Sequence, residues 1–351
     1  MLRIGLIGCG WAGQHQAAAL QSEELSSWAQ LTAVSDTNLA RLSRWAVEWN
    51  LPADRLYPNY VEMLEHAELD AVSVCLPTYL HHRVGLDVLA SGRHLLTERP
   101  MAMSVREGNE LVEAAGRISR VFMVGASICY SYAGQEIRKL VTDGLIGRPL
   151  AARATFVGKL RDDWGGRLWL LDRRQSGGGM LMTHGIDDVA FLRRILGEVK
   201  SVFARRVQPE DDATSVVDTM QVSLQFEGGA LGQLLASLNL DPYAGMNGYL
   251  INGTEGSILC EHSQVNQEFT VWAEKLGEQP RTYLNARPAR SPFVVELEHF
   301  IHCVTRGQTP LTDGADQLRS LAVIEAAYRS LNTGRAEAVE ELRASAKSPS
   351  P

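Results

Sequence analysis

The sequence lacks any apolar run that approaches the roughly 20 residues needed to span a bilayer,. The apolar segment Leu2–Ile7 is too short for the core of a signal peptide and leads straight into a glycine-rich loop, so we expect no signal peptide,. Basic residues are not in excess, because the formal net charge is −7. An acidic protein gains little from nucleic acid or an anionic membrane, so neither is an expected partner.

Cysteine is also scarce, with five residues that are far apart in the chain (Cys9, Cys75, Cys129, Cys260 and Cys303). No two of them have the spacing of a metal-ligand pair. We therefore expect reduced, mostly buried thiols in a cytoplasmic protein that has no metal site. At 351 residues the chain exceeds the usual size of a single core, which predicts two domains,.

A glycine-rich turn follows the first predicted strand, Arg3–Ile7, and precedes a predicted helix from Gln14 to Leu20. In the pattern G-x-G-x-x-G, Gly8 permits the tight bend, Gly10 allows a pyrophosphate to approach, and Gly13 allows close helix packing. Trp11 and Ala12 complete the predicted cofactor-binding loop, and the first amide groups of the helix that follows favour an anion,. The pattern alone can also be a simple strand-to-helix turn, and its context must decide.

The second predicted strand, residues 30–35, supplies that context because it ends in Asp36, 23 residues after Gly13. An acidic residue at this distance can accept hydrogen bonds from the ribose hydroxyls and repel a 2′-phosphate. We therefore predict NAD as the cofactor and consider NADP less favoured. Arg41 is the nearest basic residue on the C-terminal side, and we expect it on the following helix.

Strands and helices continue to alternate through the first third of the chain, with strands at 70–76, 94–97 and 121–124 and helices at 39–49, 60–66, 80–91 and 104–116. This alternation predicts an α/β Rossmann domain with a doubly wound parallel sheet over residues 1–125. Ligands bind at the carboxyl ends of such strands. The strand ends therefore extend the predicted cofactor site to Leu76, Pro77, Thr78, Glu98 and Arg99, with Pro100 and Ala126 nearby.

From about residue 150 the pattern changes to strands at 151–157, 201–207, 214–226, 230–239 and 248–252, followed by helices at 291–306 and 314–331. This predicts an α+β domain over residues 126–335 with a mainly antiparallel open sheet, whose C-terminal helix can pack back on the first domain. A free face of that sheet is the expected interface of a homodimer or homotetramer. Residues 343–351 have the composition of a flexible tail,.

Four motifs, taken in this order, resemble the Gfo/Idh/MocA family of glucose–fructose oxidoreductase and inositol dehydrogenase relatives. They are Gly8-x-Gly10-x-x-Gly13, Leu76-Pro77-Thr78-x-x-His81, Thr97-Glu98-Arg99-Pro100 and Gly177-Gly178-Gly179-Met180-Leu181-Met182. The resemblance spans roughly residues 2 to 335. It implies hydride transfer between nicotinamide and a carbinol carbon of a small polyhydroxylated substrate, a sugar, sugar derivative or cyclitol. It also places His81 near the nicotinamide pocket, although a surface position at the start of a helix is equally open.

The chain departs from the family at the residues that normally handle the substrate proton. Glu98-Arg99-Pro100 replaces the usual Glu-Lys-Pro, and Thr183 and Asp187 stand where an Asp and a His are usual. Arginine stays protonated in proteins, so Arg99 can orient a substrate oxygen but is a poor proton shuttle. The resemblance therefore leaves the catalytic base to be found elsewhere.

His184 is the base that the sequence offers, because it precedes Asp187 by three residues and can share a helix face with it,. An imidazole beside a carboxylate is suited to general base catalysis near neutral pH. The alternative is that His184 packs locally and Asp187 alone faces the site. Thr183 could contact the substrate through its hydroxyl or bond back to the helix.

Arg161 and Trp164 are candidate substrate residues, because arginines and aromatics suit a carbohydrate pocket. Glu296, His299 and His302 lie at i, i+3 and i+6 of a predicted helix, but no metal-binding signature accompanies them, so no metal is expected,.

The leading hypothesis is an NAD-dependent dehydrogenase or reductase acting on CH–OH groups. An NAD-retaining enzyme that cleaves a glycosidic bond, and a catalytically silent NAD-binding protein, are the alternatives.

Overall fold

The computed structural model describes residues 1–158, 168–207, 216, 219–240, 247–262, 268–286 and 290–339. The chain divides into two compact units. The first comprises Met1–Ala126 together with Arg290–Leu318, and the second comprises Ser127–Ala289 and the residues from 319 onward. The segment after residue 290 is thus shared between the two units, a division that the predicted domain bounds did not contain.

The first unit is built on a six-stranded parallel sheet with the order β3-β2-β1-β4-β5-β6. Its strands are β1 (Leu2–Ile7), β2 (Ala29–Ser35), β3 (Leu56–Tyr57), β4 (Ala71–Val74), β5 (His94–Thr97) and β6 (Phe122–Val124). The order reverses on either side of β1, as in a Rossmann fold, so the predicted fold class is confirmed. Only β3 is additional to the predicted strands, because two residues are too few to form a periodic pattern.

The helices of the first unit follow the predicted ones to within two residues, apart from the start of the first. They are α1 (Trp11–Leu20), α2 (Leu39–Glu48), α3 (Tyr60–His66), α4 (Thr78–Ala90), α5 (Val105–Arg117) and α10 (Pro292–Arg306). Asn38, Asn59 and Ser104 precede α2, α3 and α5 and accept hydrogen bonds from amides of the first turn. Such caps define where a helix begins.

The core of the first unit consists of strand residues that are buried on both faces of the sheet. Consecutive residues in β4 and β5 are fully buried, including Val72, Leu95 and Leu96. A parallel sheet covered by helices on both faces requires such continuous apolar strands. This burial leaves the carboxyl edge of the sheet as the place where polar groups accumulate.

The second unit contains a nine-stranded sheet with the order β14-β13-β12-β11-β7-β10-β9-β8-β15, in which only the β7–β10 pair is parallel. The strands are β7 (Pro149–Val157), β8 (Val199–Val207), β9 (Thr219–Phe226), β10 (Leu231–Ser237), β11 (Gly248–Gly253), β12 (Gly256–His262), β13 (Phe269–Lys275), β14 (Arg281–Ala286) and β15 (Glu337–Ala338). The mainly antiparallel sheet is therefore confirmed. The strands β12 to β14 were not predicted, although the turn at residues 252–256 that begins them was.

The sheet of the second unit has one covered face and one open face among the described residues. In β9 the buried Val222 and Leu224 alternate with the exposed Gln221, Ser223 and Gln225. The helices of this unit are α6 (Ser127–Tyr130), α7 (Tyr132–Thr142), α8 (Arg173–Ser176) and α9 (Ile186–Leu196), and α11 (Gly314–Thr333) begins in the first unit and continues into the second. Among the described residues, no helix has the length and apolar character to cross a membrane. The predicted tail, 343–351, lies outside the described residues.

Candidate active site

The glycine loop after β1 has the geometry that its sequence predicts. Gly8 has a φ of +101°, and a Cβ there would clash with the carbonyl oxygen of Cys75. A Cβ at Gly13 would clash with the carbonyl oxygen of Gly8. At Gly10, by contrast, a Cβ would meet no described atom within 4 Å. Two of the glycines are therefore required by the fold, whereas the third leaves open space beside the backbone.

Helix α1 begins at Trp11, directly after that open space. Gly10 has no side chain to cap the helix, and the first turn of α1 contains no acidic residue. The first amides of a helix need acceptors, and the helix dipole favours a negative charge there. The loop and the start of α1, including Ala12, therefore fit the pyrophosphate of a dinucleotide.

Asp36 connects the end of β2 to this loop. Its Oδ2 accepts a hydrogen bond from the amide of Cys9 at 2.9 Å, and its Oδ1 accepts one from the amide of Asn38 at 2.8 Å. Arg41, which lies on α2 as predicted, places Nη1 2.9 Å from the same Oδ2. A carboxylate offers about four acceptor positions. Asp36 can thus hold the loop and still accept a ribose hydroxyl, but it is not an isolated negative charge.

The segment after β4 carries Leu76, Pro77 and Thr78. Thr78 is fully buried, and within the described part of the chain its hydroxyl has no hydrogen-bond partner. A buried hydroxyl without a partner costs free energy unless a ligand or water satisfies it.

His81 is buried on α4, so the alternative of a surface histidine is wrong. Its Nδ1 lies 2.7 Å from the carbonyl oxygen of Pro100, and its Nε2 lies 2.7 Å from that of Leu76. Burial lowers the pKa of His81, and the two carbonyl contacts oppose that shift. The imidazole thus ties the loop after β4 to the loop after β5. Its predicted role near the nicotinamide stays a prediction.

Glu98 and Arg99 follow β5 and are held by neighbouring elements. Glu98 Oε1 accepts a hydrogen bond from Nε2 of Gln16 at 3.0 Å, and Oε1 of Gln16 in turn accepts one from Ser73. Arg99 Nη1 lies 3.3 Å from Glu98 Oε2. This chain of contacts orients a largely buried, protonated guanidinium that can donate hydrogen bonds but cannot accept a proton.

Glu296 on α10 is a site residue that the sequence suggested only as an unfavoured metal ligand. It is buried, and its Oε2 accepts a hydrogen bond from the amide of Ala126 at 2.9 Å, just after β6. His299 instead accepts a hydrogen bond from the amide of Leu311, and His302 packs against the ring of Trp28. The sequence signal that could have identified Glu296 is an acidic residue on the apolar face of a helix.

In the second unit, the glycine run at residues 177–179 packs against Tyr328 of α11. A Cβ at Gly178 would clash with the hydroxyl of Tyr328, and that hydroxyl accepts a hydrogen bond from the amide of Gly179 at 3.1 Å. Gly177, with a φ of +82°, ends α8. The run therefore positions the turn that follows it.

Thr183 and His184 lie in that turn, a π-helical segment from Leu181 to Gly185. The Thr183 hydroxyl donates to the carbonyl of Gly179 at 3.3 Å and lies 3.0 Å from His184 Nδ1. The His184 ring stacks on Phe156 of β7, with ring centroids 5.1 Å apart. Thr183 thus bonds back to the helix, and His184 is held by local packing. The π turn changes the spacing from which a shared face with Asp187 was predicted, and the pairing itself stays a prediction.

Two buried carboxylates, Asp187 and Asp188, begin α9 directly after the π turn. Asp188, which was not among the predicted site residues, accepts a hydrogen bond of 2.5 Å from the hydroxyl of Tyr249 on β11. Burial and the Asp188 charge raise the pKa of Tyr249 well above its usual value, and the charge of Asp187 adds to this. The carboxylates therefore lie near one neutral phenol.

The predicted substrate residues Arg161 and Trp164 lie outside the described residues.

Two family profiles match the chain. The profile described as "Oxidoreductase family, NAD-binding Rossmann fold" matches residues 2–126, and the Gfo/Idh/MocA C-terminal domain profile matches residues 135–259. Together they cover well over half of the chain. The first description agrees with the open space at Gly10 and with the start of α1, which has no side-chain cap, so the residues present fit NAD.

Individual relatives match along nearly the whole chain. Myo-inositol 2-dehydrogenase of Thermotoga maritima is 27% identical over 97% of this chain and 99% of its own length. scyllo-Inositol 2-dehydrogenase (NAD(+)) of Bacillus subtilis is 26% identical over 95% of both chains. The crystal structure of aldose-aldose oxidoreductase from Caulobacter crescentus, complexed with glycerol, superimposes with a TM-score of 0.85 at 24% identity, over 96% of this chain and 99% of the other. The last comparison supports the fold.

Proposed function

Because the chain belongs to the Gfo/Idh/MocA family of oxidoreductases, we propose that it is an NAD-dependent dehydrogenase or reductase of a sugar, sugar derivative or cyclitol. The observation that carries this proposal is the glycine loop, where Gly10 borders open space and α1 begins without a cap. The full-length similarity to two inositol dehydrogenases supports a carbinol carbon as the reacting centre.

Bound NAD supplies a hydride acceptor at C4 of its nicotinamide ring. The residues of this chain bind and orient it. Gly10 and the first amides of α1 would hold the pyrophosphate, and Asp36 would accept a hydrogen bond from the ribose. The segments Leu76–Thr78 and Glu98–Arg99 would border the cofactor at the strand ends, and His81 contacts the loops that carry both segments.

The substrate oxygen and its proton require different residues. Arg99 donates hydrogen bonds to the oxygen, and its permanent charge stabilises an alkoxide. Since Arg99 cannot take the proton, either Asp187 or His184 accepts it. The Thr183 hydroxyl donates to the Gly179 carbonyl, so its oxygen can accept from His184 Nδ1 and leave Nε2 as the proton acceptor,. Thr183, Asp187, Arg161 and Trp164 form the proposed substrate contacts.

Purified protein incubated with NAD or NADP and a panel of cyclitols and sugars tests the proposal by absorbance near 340 nm. Formation of NADH in proportion to the substrate consumed supports the dehydrogenase. Release of nitrophenolate from nitrophenyl glycosides without net NADH would instead identify the NAD-retaining glycoside-cleaving enzyme. Measurable NAD binding with neither activity would identify a silent NAD-binding protein.

Assembly and location form a separate part of the proposal. The open face of the nine-stranded sheet, where the apolar Leu231 and Leu235 lie among glutamines, is the interface of a homodimer or homotetramer. Analytical ultracentrifugation of the full chain tests this, and a monomer at micromolar concentration would contradict it. The five cysteines are free thiols, which supports a cytoplasmic location,.

A further inference from the structure

The buried carboxylates of Glu98 and Glu296 both lie close to Gly125, directly after β6. A Cβ placed on Gly125 would lie 3.2 Å from Glu296 Oε1 and 3.4 Å from Glu98 Oε2. The other oxygen of Glu296 holds the amide of Ala126, and the amide of Gly125 bonds to the carbonyl of Thr97 at 2.8 Å. The Ala126 amide thus holds the Glu296 carboxylate, and the side chain of Gln16 holds that of Glu98, both at the carboxyl edge of the parallel sheet.

The surroundings of these carboxylates are poor in water. Glu296 is 2% exposed and Glu98 is 8% exposed. The pKa of the Cys75 thiol, at the end of β4, is raised first by burial and then by the charges of Glu98 and Glu296. In such surroundings a charge acts more strongly on its neighbours than it does in bulk water.

This edge of the sheet is also where the dinucleotide binds. In open α/β sheets the ligand lies outside the carboxyl ends of the strands, where the strand order reverses. The glycine loop after β1, where Gly10 borders open space, lies at this same edge of the sheet. The oxidised nicotinamide ring carries a positive charge that the reduced ring lacks.

We propose that Glu296 is a positioning residue for the cofactor that favours NAD+ over NADH. Its hydrogen bond to Ala126 holds the end of β6, and its negative charge stabilises the cationic ring more than the neutral ring. The charge of Glu98 is partly offset by the guanidinium of Arg99, 3.3 Å from its Oε2, which leaves Glu296 as the main source of this preference. This role rests on the use of NAD, but not on the identity of the substrate.

The test compares the dissociation constants of NAD+ and NADH for the full chain, by isothermal titration calorimetry without substrate. Glu296→Gln keeps an acceptor for the Ala126 amide and removes the charge. We expect the ratio Kd(NADH)/Kd(NAD+) to fall about tenfold relative to the wild type, mainly through weaker NAD+ binding. Because no substrate is present, failure of the proposed dehydrogenase activity would not affect this result.

The matched control is Glu298→Gln on the same helix, where the carboxylate pairs with Arg290 at 3.0 Å. This variant should leave the ratio unchanged. Glu98→Gln removes the second charge of the cluster and should lower the ratio in the same direction, so it decides the question if Glu296→Gln does not fold. An unchanged ratio in a folded charge-removing variant, or equal weakening of NAD+ and NADH, would overturn the proposal.

Discussion

The guanidinium of Arg41 pairs with the carboxylate of Asp36, with Nη1 and Oδ2 2.9 Å apart. The acidic residue that predicts NAD over NADP is therefore accompanied by a cation that could contact a 2′-phosphate. Selectivity between the two cofactors depends on the balance between these two side chains.

Asp36→Ala should shift cofactor preference towards NADP. The variant removes the acceptor for ribose hydroxyls and releases Arg41 to meet a phosphate, so we expect the ratio of kcat/KM for NAD to that for NADP to fall about 10- to 100-fold. Steady-state kinetics with both cofactors measures this ratio. In the double variant Asp36→Ala/Arg41→Gln, the gain for NADP should disappear. If it persists, Arg41 has no part in it.

Gly10→Ala should weaken NAD binding with little effect on stability, whereas Gly13→Ala should lower the stability of the fold. A methyl group at Gly10 meets no described atom but occupies the space proposed for the pyrophosphate, so NAD affinity should fall at least tenfold with little change in Tm. A methyl group at Gly13 clashes with the Gly8 carbonyl, so Gly13→Ala should lower the free energy of unfolding by about 1–3 kcal/mol,. Calorimetric titration and thermal unfolding of both variants distinguish them. Strong NAD binding by Gly10→Ala would contradict the assignment of the loop.

Tyr249→Phe should destabilise the second unit at neutral pH, because it removes the donor to the buried Asp188. The expected loss is about 1–3 kcal/mol in the free energy of unfolding. Tyr249 has a raised pKa in the folded protein, so its contribution is fully present below its unfolded pKa, near 10.0, and declines at higher pH as the unfolded phenol ionises,. The difference between wild type and variant should therefore narrow above about pH 10.

Urea unfolding of both proteins near pH 7.5 and above pH 10 measures that difference. The comparison with the wild type cancels the other groups that titrate in the alkaline range. A difference that stays constant with pH would show that Tyr249 titrates alike in the folded and unfolded chains.

Asp187→Asn should reduce kcat about 100-fold or more if Asp187 accepts the substrate proton. Thr183→Val frees His184 Nδ1 from its hydroxyl neighbour and should shift the pH dependence of kcat, with a smaller effect on its maximum. Steady-state rates from about pH 6 to 9 test both variants. Full activity of His184→Ala over this range would remove His184 from the proposed proton transfer.

Much of the first unit could be predicted, because its signals are local. The period of apolar residues located the strands, and the glycine spacing located the turn. The strands β12 and β13 escaped prediction because their burial alternates only partly, with half-buried residues on both faces. The strand β14 escaped because its described side chains are mostly exposed, so it has no buried face to give an alternating pattern. The π turn at residues 181–185 also escaped, since it depends on how the preceding glycine run packs under Tyr328.

By itself, the sequence determined the cofactor class and the strand ends that border it. Gly8, Gly10 and Gly13 act through backbone geometry, and Asp36 acts through a carboxylate at a fixed spacing from them, all within a short stretch of chain. The tertiary structure alone decided which side chains surround these positions. Glu296 reaches the end of β6 from a helix 170 residues away in sequence, and Tyr249 reaches Asp188 from a distant strand. A buried polar group needs a partner, and folding, rather than sequence proximity, brings that partner to it.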